Sequence, residues 1–204
     1  MPTSRNLALA LAPLALFALA SCGGGGGALP GAGAKAPLGA VLAEGLADAS
    51  GQPVGAETYG GKLVGVYFSA HWCPPCRAFT PELVKFRDAH AAEFEVLFVS
   101  ADHSAGEQKE YMDSTGMKWP VAKFKGPAGQ GLARALGVES IPALVVMNED
   151  GVVVTTAGRE DLSADPVAAL AKWKRHAPAK GVINNRLRRS APARWHNASE
   201  VVSN

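Results

Sequence analysis

Ten residues, Phe68-Ser69-Ala70-His71-Trp72-Cys73-Pro74-Pro75-Cys76-Arg77, constrain this chain more than any other stretch. They join two segments of different periodicity. Lys62 to Ser69 is a short apolar run rich in β-formers, which predicts a buried strand. Pro74 to about His90 carries Phe79, Leu83 and Phe86 at helical spacing. Two thiols three residues apart on a helix's first turn lie on one side and can close a small disulfide ring. Cys73 falls at the helix start, where unpaired N–H groups and the helix dipole favour a thiolate. The thiolate is the attacking species in disulfide exchange, so Cys73 is the expected nucleophile. Cys76, one turn along and less exposed, is the expected resolving thiol, and Arg77 adds a positive charge nearby. A lone CxxC is a modest signal, but one that follows a buried strand and opens a helix is strong.

The rest of the chain supplies a domain around this junction. Phe94 to Ser100 predicts a second buried strand, Ala105 to Ser114 a helix, and Gly129 to Leu136 a shorter one. Ala143 to Met147 and Val152 to Thr156 read as strands joined by Asn148-Glu149-Asp150-Gly151, a turn with glycine where positive φ is easiest. Asp165 to Lys174 reads as a closing helix, capped by Ser163 or Asp165 with Pro166 in the first turn. Strand, helix, strand, helix, hairpin and helix predict an α/β fold with a central mixed sheet flanked by helices. Gly126 to Gly131 lacks the lysine and preceding strand of a phosphate loop and is read as a turn.

Both ends fall outside that pattern. Leu7 to Ala20 is apolar apart from Pro13, too short for the ~20 residues of a membrane span but suited to a secretory leader. Leu19-Ala20-Ser21-Cys22 resembles a bacterial lipobox, which implies cleavage of residues 1–21 and lipid on Cys22; ordinary secretion and a retained anchor are the alternatives. The chain holds three cysteines, so lipid on Cys22 leaves the pair Cys73 and Cys76 with no stray thiol. Residues 22–38, largely Gly, Ala and Pro, read as a flexible tether reaching ~20–25 Å, which puts the domain at 39–176. Residues 177–204 read as a basic, disordered tail: from Lys172 onward eight Lys or Arg face one acid, Glu200. A formal net charge of +2 argues against bulk nucleic-acid binding. Asn197-Ala198-Ser199 fits a glycosylation sequon, a use that the bacterial type of leader argues against.

Other chemistries leave weaker traces. A structural zinc site needs about four ligands, and there is no second cysteine pair for one, although His71 and His103 could be recruited. Two soft thiols could also hold Cu(I), so a lipid-anchored metal- or thiol-binding protein is the alternative to an enzyme. No cofactor is expected.

Residues from about Gly60 to Gly158 resemble the thioredoxin superfamily, and Tyr67 to Leu83 resembles its tryparedoxin and nucleoredoxin branch throughout. The resemblance implies a thioredoxin-like fold and a protein-disulfide oxidoreductase. Pro81 matches the family's kink in the active-site helix, as a helix-interior proline would. Ile141-Pro142 matches the family's cis-proline loop, which implies that Pro142 packs on the cysteines and that Ile141 pairs with substrate through its backbone. Trp72 is expected as a platform shielding the cysteines. His71 is expected at the surface, or tuning Cys73, while Pro74 and Pro75 set the pair's potential. Two departures stand out. Many thioredoxins place a buried carboxylate where this chain has Tyr67, so another group, Glu82 or water, would have to deprotonate the resolving thiol. The branch is also best known inside cells, whereas this chain carries an export signal. The expected partners are thiols or disulfides of exported proteins and a membrane or exported redox partner, in a lipid-anchored setting in a bacterial envelope. Reduction is the favoured direction.

Overall fold

The computed structural model describes residues 30–177, and the lipobox cysteine, the leader and the basic tail lie outside them. In chain order the elements are α1 (Leu38–Glu44), β1 (Leu46–Ala47), β2 (Pro53–Val54), β3 (Leu63–Ser69), α2 (Pro74–Ala89), β4 (Phe94–Ser100) and α3 (Ala105–Thr115). They continue with β5 (Val121–Ala122), α4 (Pro127–Ala135), β6 (Ala143–Asn148), β7 (Val153–Thr155), α5 (Gly158–Ala164) and α6 (Pro166–His176). Among the described residues seven strands form one sheet, ordered β2-β1-β5-β4-β3-β6-β7. The sheet is mixed: β3 runs parallel to β4 and antiparallel to β6.

The centre of the sheet follows from composition. All seven residues of β3 are buried, as a strand covered on both faces requires. Alternation then sorts its side chains. Leu63 and Tyr67 face a core with Leu83 and Phe86 of α2, Tyr111 of α3, Leu162 of α5 and Trp173 of α6. Val64, Val66 and Phe68 face a second core with Leu38 and Val41 of α1 and Leu132 of α4. Gly65 has a steric reason, since a Cβ there would lie 2.4 Å from the Phe94 ring. Helix ends follow local chemistry. Asp165 accepts from the Val167 and Ala168 amides at the start of α6, and α3 runs from a Ser104 cap to Gly116 at φ 73°.

The structure corrects the sequence reading in several places. Residues 33–38, read as the end of a tether, are folded onto the sheet edge. Gly33 N–H donates to Val153 O, Ala36 N–H donates to Gly151 O, and Leu38 is buried. Glycine and alanine content said "flexible" because backbone pairing to a distant hairpin leaves no local signature. Gly126 to Gly131 is no free-standing turn: Pro127 opens α4, whose first turn runs through those glycines. The sequence reading also passed over α1, α5 and the two-residue strands β1, β2 and β5, which are too short for a periodicity.

Candidate active site

The two cysteines lie where strand order and local chemistry meet. The parallel pairing brings Ser69 level with Ser100, so the loops leaving β3 and β4 emerge side by side. Asp102, buried just past β4, accepts from the His71 amide (2.7 Å) and the Ser100 hydroxyl (2.8 Å). That carboxylate ties the loop carrying the cysteines to the end of the neighbouring strand. Trp72 then lies half exposed, its Nε1–H donating to Ala101 O (3.1 Å).

Cys73 is the N-cap residue of α2, with Pro74 and Pro75 filling the first positions, where a missing N–H is harmless. Its Sγ accepts from the Cys76 amide (3.3 Å) and is bonded to Cys76 Sγ, with the Cα atoms 5.2 Å apart. In the dithiol state the same amide and the helix dipole would favour a thiolate at Cys73. Cys76 is completely buried, whereas Cys73 is 4% exposed, so only Cys73 presents a surface to a partner. The Ile141–Pro142 bond is cis, and Ile141 O lies 3.9 Å from Cys73 Sγ. Pro142 O accepts from the Arg159 guanidinium at 3.4 Å.

Beneath Cys76 the expected carboxylate is replaced by hydroxyls. Tyr67 Oη lies 2.8 Å from Thr80 Oγ1, accepts from Ser69 Oγ (2.9 Å) and donates a longer bond to Cys76 O (3.4 Å). Tyr111 Oη joins the same set, 2.5 Å from Thr80 Oγ1 and 3.0 Å from Ser69 Oγ. Thr80 also donates to Cys76 O at 2.8 Å. Burial above all holds the Tyr67 proton well beyond the ordinary tyrosine range, so Tyr67 acts here as a neutral hydrogen-bonding group.

Most of the predicted site residues meet here: Tyr67, His71, Trp72, Cys73, Pro74, Pro75, Cys76, Ile141 and Pro142. His71 is half-buried with its ring stacked on Tyr111, centroids 5.6 Å apart, and His103 Nδ1 sits 3.2 Å from Glu107 Oε2. Arg77 is exposed on α2 and makes no ion pair among the described residues. Glu82 does not replace the carboxylate. It is exposed and lines a shallow cleft with Lys85 and His90, because six residues along the helix turn it to another side. Sequence reasoning missed Thr80, which its spacing of four from Cys76 could have flagged, and Asp102, Ser69 and Tyr111, which only tertiary packing brings in.

The mixed sheet, the cysteine pair capping a helix and the cis-proline opposite it define a domain built for thiol–disulfide exchange. The chain belongs to the thioredoxin-like family, whose model matches residues 60–153. It is 39% identical over 134 residues to nucleoredoxin of Bos taurus, covering 63% of this chain and 30% of that protein. It is 39% identical over 117 residues to tryparedoxin of Trypanosoma brucei brucei, covering 55% of this chain and 80% of that one. The chain thus matches about a third of the nucleoredoxins' length but most of a tryparedoxin. Among solved structures, tryparedoxin II in complex with glutathionylspermidine superposes with a TM-score of 0.57 and 37% identity, over 61% of this chain and 88% of that one.

Proposed function

We propose that this protein is a thiol–disulfide oxidoreductase that reduces disulfides outside the cytoplasmic membrane, held there by lipid on Cys22. The observation that carries the reading is the position of Cys73: a helix N-cap sulfur, bonded to a buried partner thiol, beside the half-exposed Trp72 and Ile141 O.

In the dithiol state the Cys73 thiolate attacks one sulfur of a substrate disulfide. One S–S bond breaks, a mixed disulfide forms, and the first substrate thiolate leaves and takes up a proton. Cys76 then loses its proton and attacks Cys73 Sγ. The second substrate thiol is released and the Cys73–Cys76 bond closes, two electrons having passed to the substrate. The hydroxyls around Tyr67 and Thr80 hold Cys76 O, and through it the start of α2, while the sulfur changes partner. The relatives' nature supports protein or small-molecule disulfides as substrates, and an exported donor must return the pair to the dithiol state. The lipobox-like Leu19-Ala20-Ser21-Cys22 supports the anchoring.

Turnover of insulin disulfides with dithiothreitol as donor tests the reading. Catalysis by the full chain and its loss in Cys73→Ser are expected; equal rates for the two would overturn it. Labelling with a fatty-acid probe in a bacterial host tests the anchor, which predicts label on the wild type and none on Cys22→Ser.

A further inference from the structure

A groove of about 710 Å³ opens directly beside Cys73. Its lining includes the apolar side chains of Phe68, Val99 and Ala133, together with Trp72 and Ile141. That volume suits a small molecule rather than a flat protein face. Its charges are unevenly placed. Lys123 and Lys125, both exposed, stand on the wall formed by the β5–α4 connection, and Glu139 stands beside the cis-proline loop. Asp102 also lines the groove, but its carboxylate is buried and already accepts from the His71 amide and the Ser100 hydroxyl.

Lys125 is built into this wall at some expense. Its backbone is left-handed (φ 51°), the one such non-glycine among the described residues, and conformations of this kind concentrate at ligand clamps. Gln130 Nε2 holds its carbonyl (2.9 Å), while Nζ donates to His103 O (3.0 Å) and lies 5.2 Å from the Phe124 ring centroid. An ammonium has three donors, so two remain for a ligand.

We infer that this groove selects a small disulfide carrying a carboxylate, seated with the carboxylate on Lys123 and Lys125 and a sulfur at Cys73. The inference rests on the exchange reading above and names its substrate class. The redox balance is the one given there: two electrons and two protons pass from Cys73 and Cys76 to the disulfide, which leaves as two thiols.

Three short disulfides that differ in end-group charge test it on the full chain: 3,3′-dithiodipropionate (anionic), 2-hydroxyethyl disulfide (neutral) and cystamine (cationic). The quantity read is kcat/KM for each variant relative to wild type. Lys125→Gln should lower the anionic-to-neutral ratio about fivefold to tenfold, as loss of a charge-assisted contact does. Lys123→Gln with Lys125→Gln should lower it further, and Lys85→Gln, on the other side of α2, should leave it unchanged. Lys125→Gly keeps the left-handed turn without steric conflict. A fall in the ratio there with an unchanged Tm marks the ammonium as the cause. A ratio unmoved by the lysine variants, with all three disulfides turned over, overturns the inference while leaving the exchange reading intact. No turnover of any of them by a chain that still reduces insulin disulfides overturns the inference alone, and failure on insulin as well overturns both.

Discussion

The hydroxyls of Tyr67 and Thr80 lie 2.8 Å apart in the buried layer directly beneath Cys76, and both also reach Cys76 O. Thr80 Oγ1 reaches it by bonding back four residues to a carbonyl of its own helix, as helical threonines do. Thr80→Val removes the hydroxyl that donates to Cys76 O and leaves Tyr67 and Tyr111 with fewer partners in a dry site. It should destabilise the protein by ~1–3 kcal/mol. Urea unfolding of Thr80→Val, Tyr67→Phe and the double variant checks this. A coupling well above ~0.5 kcal/mol is expected for contacting groups, and additive effects would count against a shared network.

Burial raises the pKa of Tyr59 and of Tyr67 far above the ordinary 10.0. A raised folded value means that the unfolded chain loses its phenolic protons first. Stability is therefore unaffected below about pH 10 and falls as pH climbs from there toward the folded values. Alkaline titration followed by circular dichroism should show unfolding that begins near pH 10. Tyr67→Phe should flatten that pH dependence, and an unaltered slope would contradict the assignment.

Residues 33–38 cross the β6–β7 hairpin, where Gly151 adopts φ 79°. A Cβ on Gly151 would lie 2.9 Å from Ala36 O and 3.1 Å from Leu38 Cβ. Gly151→Ala should destabilise by ~1–3 kcal/mol through strain and overpacking. Faster amide exchange at Ala36 should accompany the loss; unchanged exchange there would mean that the crossing adds little.

Cys76→Ser should stop the reaction at the mixed disulfide, because the buried resolving sulfur is gone. Mass spectrometry after mixing the reduced variant, also carrying Cys22→Ser, with a small disulfide should find one adduct on Cys73. A rapid return to free thiol would give the resolving role to another group.

The sheet centre and the cysteine pair were legible in the sequence because both are local. β3 and β4 are continuous apolar runs, and Cys73-Pro74-Pro75-Cys76 carries its own helix start. Pro142 was legible only through family resemblance, since Ile141-Pro142 alone reads as the edge of a strand. The hydroxyl layer was not legible. Tyr67, Thr80 and Tyr111 come from β3, α2 and α3, and only packing in one core brings their oxygens within 3 Å of Thr80 Oγ1. The crossing of residues 33–38 escaped for the same reason, being a backbone contact with residues more than a hundred positions away.

The central claim is that Cys73 and Cys76 form a reversible redox pair working toward reduction. Its most direct test is the reduction potential of the full chain carrying Cys22→Ser, which leaves only these two of the three cysteines. The protein is equilibrated in glutathione buffers and the thiols are trapped. The account predicts a reversible two-electron transition near ~−250 mV or lower, in the range of reducing thioredoxins. A transition near ~−120 mV would reverse the direction, and no transition at all would contradict the account.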